Sequence, residues 1–446
     1  MTRAIHISIA ISILLAAGLA CRLLPPAEPT IAPEDAIATS VAATLAASDG
    51  SAAPEESAVP PEESALEAPP LLQVAFVKDG DVWYWQEGGV PTLLADLNNV
   101  VQVSLSDDGQ LIVFVRENDY YYQEIYAVNT DGSNLRPLVS LADFETMVTD
   151  PAAVSAVPFR IDWVPGTHTL AFNTRQTFEG PGLMLPDDLR LVDADTGTQS
   201  ILLAPGSGGN FYFSPDGSAI ALVTGTQISV VNSDGSGRRE LLSFPMVITY
   251  SEYIYYPPVY WSQDGSFLRT AIPPHESLAV PAQPTAIWHL PADGSPPSTL
   301  LSMVMVPFFQ QAAVISPDRS QVAFLTDVSP DTPAILDLHI ANLDGSSDVI
   351  YTNGSYRFDG WSQDSEHFLY TENGQNPRVG RLGDSPQLFS GITLMVNPRW
   401  VDANRFLYLN RLSSSWELWL GDQGGAPASL LASTAGEDMI SYDFIN

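Results

Sequence analysis

The sequence holds one cysteine, Cys21, and none after it. An intramolecular disulfide is therefore excluded, and so is a thiolate metal site in the body of the chain. Basic residues are scarce as well: 18 Lys and Arg stand against 52 Asp and Glu, for a formal net charge of −34. Such a surface repels nucleic acid phosphates and gives anionic lipid no polybasic anchor. It also keeps the chain soluble. No Gly-x-Ser-x-Gly nucleophile elbow and no nucleotide-binding glycine loop occur. The one long apolar run, residues 5–19, is shorter than the roughly 20 residues a membrane-spanning helix needs.

What that run does fit is a targeting segment. Arg3 supplies a positive n-region, residues 5–19 an apolar h-region, and Ala17-Gly-Leu-Ala-Cys21 its end. The pattern resembles a bacterial lipobox. That resemblance implies a lipidated Cys21 at the mature N-terminus, in the extracytoplasmic cell envelope and anchored to a membrane by lipid alone. Gly18 stands where such motifs usually carry Leu, so ordinary cleavage after Ala20 is the alternative. Residues 22–70 are rich in Pro, Ala, Ser and Glu and lack aromatics, so they cannot nucleate a core. They read as a disordered linker of about 40 Å r.m.s. span.

From residue 71 the chain repeats itself. Residues 211–244 show the unit most fully. Phe211 to Phe213 is a short aromatic strand, and Ser214-Pro-Asp-Gly217 has turn chemistry at each position. An apolar strand follows, then a third strand, the turn Asn232-Ser-Asp-Gly-Ser236, and a fourth strand. The first turn recurs at 106–109, 261–265, 315–318 and 361–364, with degenerate copies at 164–166 and 401–404. The second recurs at 129–132, 195–197, 293–294, 342–345, 384–385 and 423–424. A period of roughly 40–55 residues belongs to blade repeats, and a single meander cannot bury both of its faces.

Ser-Pro-Asp-Gly, an apolar strand and then Asn-x-Asp-Gly-Ser resembles the Asp-Gly propeller repeat of TolB and tricorn-type proteins. It is also similar to the propeller domains of dipeptidyl peptidases. The resemblance covers residues 71–446 and implies an all-β closed β-propeller of four-stranded antiparallel blades. About eight blades are expected, at 71–99 plus 438–446, 100–140, 155–204, 209–244, 257–302, 310–352, 355–392 and 396–433, with seven the alternative. The first blade lacks a strand before Leu71, and residues 440–445 are expected to supply it and close the ring.

Loop lengths point to function. In a four-stranded meander, the turns after strands one and three lie on one face of the ring. The connections after strands two and four lie on the other. The first face carries tight Asp-Gly turns, and the tether leaves from it. The second carries long insertions at 141–158, 175–188, 245–258, 273–285 and 303–311. Phe178, Tyr253, Tyr255, Tyr256, His275 and Phe308 on these insertions are the candidate ligand or partner site. The alternative is that these aromatics pack on one another and cap the blades.

Catalytic and metal residues are not expected. Asn129-x-Asp131-Gly132-x-Asn134 and Asp193-x-Asp195-x-Gly197 resemble fragments of calcium loops but read as turns, because neither continues to the bidentate acid such a loop needs. The blades leave no room for the hydrolase domain that accompanies the propeller in dipeptidyl peptidases, and no cofactor is implied. The expectation is a monomeric, non-enzymatic binding or scaffold propeller for an envelope protein, peptide or glycan. The alternative is a propeller enzyme, a glycan lyase or hydrolase, with acids and histidine at the channel mouth.

Overall fold

The computed structural model describes residues 71–119, 121–180, 186–251, 253–328, 335–372, 374–392, 394–424 and 428–446. Cys21, the lipobox and the 22–70 linker lie outside the described residues. The described chain forms eight four-stranded antiparallel sheets arranged as the blades of a closed β-propeller. Blade 4 is the simplest: Asn210–Phe213, Ala219–Val223, Gln227–Asn232 and Arg239–Ser243 pair in sequence order. The first blade is completed from the other end of the chain. Tyr442–Ile445 pairs antiparallel with Gln73–Lys78, in the register Gln73↔Ile445 to Phe76↔Tyr442.

The tight turns owe their shape to a serine and an aspartate. In blade 4 the Ser214 hydroxyl donates to Asp216 at 2.6 Å and accepts from the Ala219 amide at 3.0 Å. Asp216 in turn accepts from the Ser218 amide, and Gly217 takes φ +69° to bring the chain round. The same serine is fully buried in blades 2, 4, 6 and 7, as Ser106, Ser214, Ser316 and Ser362. The second turn works alike: Asp131, Asp234 and Asp344 each accept the amide two residues on. Asp193 accepts the Asp195 and Thr196 amides, so both calcium-loop fragments are occupied in turn bonding.

Hydrophobic packing explains why the blades need one another. Each apolar cluster spans two neighbouring blades. Phe172 and Trp163 of blade 3 pack with Val113 and Ile125 of blade 2, for example. The seam between blades 8 and 1 has the same construction, with Leu409 and Leu418 against Val74, Phe76 and Tyr442. Three indole N–H groups tie first strands together at the centre of the ring. Trp261 donates to Tyr212 O, Trp361 to Val314 O and Trp400 to Gly360 O, at 2.9–3.2 Å.

One element was not anticipated. The connection after blade 2 opens with a short helix, Leu141–Thr146, capped by reciprocal bonds between Ser140 and Asp143. Its Phe144 is buried edge-on to Phe172, so the helix plugs the seam between blades 2 and 3.

Turn carboxylates make the fold sensitive to acid. The Ser214 hydroxyl, then the Ser218 amide, holds Asp216 down at about 2, and Ser262 and Ser266 do the same for Asp264. Ser133, Ser236 and Ser346 likewise lower Asp131, Asp234 and Asp344. A carboxylate with a depressed folded pKa contributes stability that is complete above its unfolded value and lost as pH falls through the folded one. The melting temperature should therefore hold above about pH 5 and fall progressively between about pH 4 and pH 2. A melting temperature by circular dichroism that stays level to pH 2 would contradict this role of the turns.

Candidate functional site

The long connections of blades 4 to 6 meet on one face. Residues 244–258 lead from blade 4 to blade 5, residues 273–284 join the second and third strands of blade 5, and residues 304–313 lead into blade 6. Backbone and side chains knit the first two together. Ile248 N donates to His275 O at 2.9 Å, Ile248 and Glu276 form a parallel bridge, and the Tyr250 hydroxyl donates to Glu276 at 2.9 Å. The His275 ring bonds Met246 O, so its imidazole is part of this knot although its surface is exposed. Ile254 lies over Gly225, where a Cβ would come within 2.7 Å of its side chain. That close approach seats the connection on blade 4.

The candidate aromatics divide by depth. Tyr255 is only 7% exposed, and its ring lies 4.3 Å from that of half-buried Phe308, which contacts Phe309 edge-on. Burial drives the Tyr255 hydroxyl well above its ordinary pKa, with neighbouring tyrosines adding to the shift. Tyr256 is half-buried and pushed up to about 12 by burial, then by Asp187 and Tyr253. Tyr253, by contrast, is 60% exposed. On the same three connections Met246, Tyr250, Leu278, Val280, Val304 and Phe309 also present apolar surface. Phe178 is half-buried at the start of the blade 3 connection and makes no ring contact among the described residues. The structure therefore gathers Tyr255, Phe308 and Phe309 into one stack, carries Tyr253 and His275 on the adjoining loops, and leaves Phe178 apart.

Sequence reading missed the lining of the central channel. A cavity of about 480 Å³ opens among first strands of blades 1 to 5, and Arg160, Asp162, Tyr212, Tyr260, Arg319 and Asp443 are among the residues lining it. The strand carboxylates here are paired: Asp162 with Arg160 at 2.9 Å and Asp443 with Arg399 at 3.0 Å. Further round the ring, Arg357 pairs with Asp359 at 2.6 Å. Burial raises the Asp359 carboxyl, and Arg357 offsets only part of that. Arginine also stacks on the channel aromatics, Arg160 over Tyr212 and Arg399 over Phe444. The recurring Arg-x-Asp at 160–162 and 357–359 was the available signal. Among the described residues no group of three or more His, Cys, Asp or Glu could hold a metal ion.

No protein-family model and no curated protein matches the sequence. Solved structures do. Dipeptidyl peptidase 4 of Porphyromonas gingivalis is 9% identical over 80% of this chain and 56% of its own, with a TM-score of 0.52. TolB from Acinetobacter baumannii is 13% identical over 80% of this chain and 68% of its own, with a TM-score of 0.37. The β-propeller domain of the trilobed protease from Pyrococcus furiosus is 12% identical over 62% of this chain and 83% of its own, with a TM-score of 0.44. This chain thus spans just over half the length of the peptidase. At such identities the likeness shows the β-propeller fold alone, which hosts many activities.

The depth of each aromatic sets what its loss should do. Tyr255→Ala empties a packed site and should cost about 3 kcal/mol in urea denaturation. Tyr253→Ala removes exposed surface and should change stability by no more than about 0.5 kcal/mol. Equal losses at the two positions would contradict the division between a packed base and an exposed surface.

Proposed function

We propose that this protein is a non-enzymatic binding propeller, tethered to the bacterial cell envelope through a lipidated Cys21. It recognises an envelope partner through the long-connection face of blades 3 to 6. The observation that carries this reading is the exposed apolar surface of Tyr253 and Phe309, on connections packed through buried Tyr255 and half-buried Phe308, which Phe309 contacts edge-on. Rings fixed in this way lose little conformational freedom on binding, which favours affinity. The exposed aliphatic side chains of Met246, Leu278 and Val280 on the same connections favour a protein or peptide over a glycan, since they offer dispersion contact and no hydrogen bonds. The net charge of −34 selects against polyanionic partners. The linker gives the propeller reach from the membrane, and the protein acts as a monomer.

The test compares three forms of the full chain expressed in a bacterial envelope and cross-linked in place. Wild type should fractionate with membranes and capture one defined partner. Cys21→Ser should move the protein to the soluble fraction. Tyr253→Ala with Phe309→Ala should stay in the membrane fraction, keep its melting temperature and weaken capture roughly tenfold or more. Undiminished capture by the double variant would overturn the site. Membrane retention of a processed Cys21→Ser form would overturn the anchor.

A further inference from the structure

Arginine is scarce in this chain, and carboxylates outnumber bases almost three to one, 52 to 18. Among the described residues eight arginines pair with an acid, Arg160, Arg357 and Arg399 of the inner strands included. Of the arginines with no carboxylate in reach, two line one cleft. Arg269, on strand Phe267–Ile272 of blade 5, makes neither hydrogen bond nor ion pair among the described residues, and its Nε is buried. Its guanidinium stacks on Phe267 at 5.1 Å. Arg319, in the first turn of blade 6, has no carboxylate within 4.0 Å among the described residues. It donates from Nε to Trp261 O and from Nη1 to Ser316 O, each at 2.8 Å, which leaves Nη2 without a hydrogen bond among those residues.

The backbone under Arg319 is unusual too. The corresponding turns of blades 2 to 5 put glycine at this position, with φ +69° in Gly109, Gly166, Gly217 and Gly265. Arg319 takes φ +64°, a region that L side chains rarely adopt. Ser365 of blade 7 does the same, and its hydroxyl accepts from the Asp318 amide at 3.0 Å. A strained backbone that carries a long cation aims that cation at something.

Both guanidinium groups line one cavity of about 440 Å³ between blades 5 and 6, together with Ser320 and Asn342. Burial pulls each below its ordinary pKa, and the charge of Arg269 adds to the effect on Arg319. Asp318 and Asp344 are also on the wall and draw the field the other way. The Asp318 oxygens, however, already accept from Ser316 and Ser320, and Asp344 from Ser346. His289, across the sheet from Arg269, is held below the usual imidazole range by burial, then by Arg269, and so adds no compensating bond. Arg319 also lines the channel cavity beside Tyr260, with its guanidinium over that ring at 5.4 Å.

We propose that the cleft between blades 5 and 6, on the tight-turn face, binds an oxyanion gripped by Arg269 and Arg319. The chemistry common to its ligands is a carboxylate or phosphate with two oxygens free to accept from the guanidinium forks. The rest of the ligand extends over Tyr260 into the channel mouth. This site lies on the face opposite the aromatic loops, so it stands or falls independently of them.

The test is isothermal titration of the full chain with inorganic phosphate, succinate and the uncharged isostere succinamide. Phosphate, succinate or both should bind in the millimolar range, and succinamide should not. The tighter of the two anions identifies the source of the oxyanion. Arg269→Gln and Arg319→Gly should each weaken binding at least tenfold. Arg319→Gly restores the residue of the other turns, so its melting temperature should hold or rise, which separates lost binding from lost fold. Selective ¹⁵N-arginine spectra should show the Arg269 Nε–H resonance shifting with the bound anion. The proposal is overturned if neither anion saturates, if succinamide binds as well as succinate, or if binding survives both substitutions.

Discussion

A blade of this protein cannot bury both of its faces, so the whole molecule depends on the ring being shut. Each apolar cluster belongs to two blades, and the last lies between the two ends of the chain. Strand Tyr442–Ile445 makes that seam. It pairs with Gln73–Lys78, and its Asp443 accepts from the Leu105 amide of blade 2 and from Arg399 of blade 8. One carboxylate thus touches three blades. The adjoining Ser441 receives Val77 N through its carbonyl and Val103 N through its hydroxyl. Closure of this kind leaves only short, protected strand edges and lets the clusters act as one cooperative core.

Closure also divides the surface into two chemistries. The tight-turn face is made of short, self-satisfied units, in which serine and aspartate consume nearly all the polar capacity they bring. On that face a cation without a partner stands out. His168 has two partners, Asp108 and Asp195, which bind it between blades 2 and 3 and raise its pKa against the opposing effect of burial. Among the described residues Arg269 has no hydrogen bond, and Arg319 bonds only backbone carbonyls and no carboxylate. The long-connection face is built differently, from segments that bond to each other over the blade ends and leave apolar side chains outward. Rigid loops with exposed rings suit recognition, since the scaffold has already ordered them.

Much of this architecture is legible in the sequence, because the turns are local. Ser-x-Asp-Gly needs only its own residues to fold, and its recurrence counts the blades. The C-terminal strand was legible by default, as the partner a three-stranded first blade required. The helix at Leu141–Thr146 escaped although its Ser140–Asp143 capping box is written in the chain, because six residues give too little periodicity. The channel lining escaped for another reason. Which residues of a first strand reach the channel depends on how eight sheets close, and no local pattern carries that. The depth of the loop aromatics was hidden likewise: Tyr253 and Tyr255 are two residues apart, and only the contact with Phe308 on another connection buries the second. Arg319 was visible as the residue that interrupts a glycine position, but its neighbour Arg269 lies on a different blade.

The central claim is that the ring is one cooperative body, shut by the C-terminal strand. Hydrogen exchange of the full chain reads this directly. The amides of Val77 and Leu105, whose acceptors are Ser441 O and Asp443, should exchange with the same protection as Ile220 and Leu222 in the middle of blade 4. Exchange of those two amides and of residues 440–446 near the unfolded rate, while blade 4 stays protected, would contradict it.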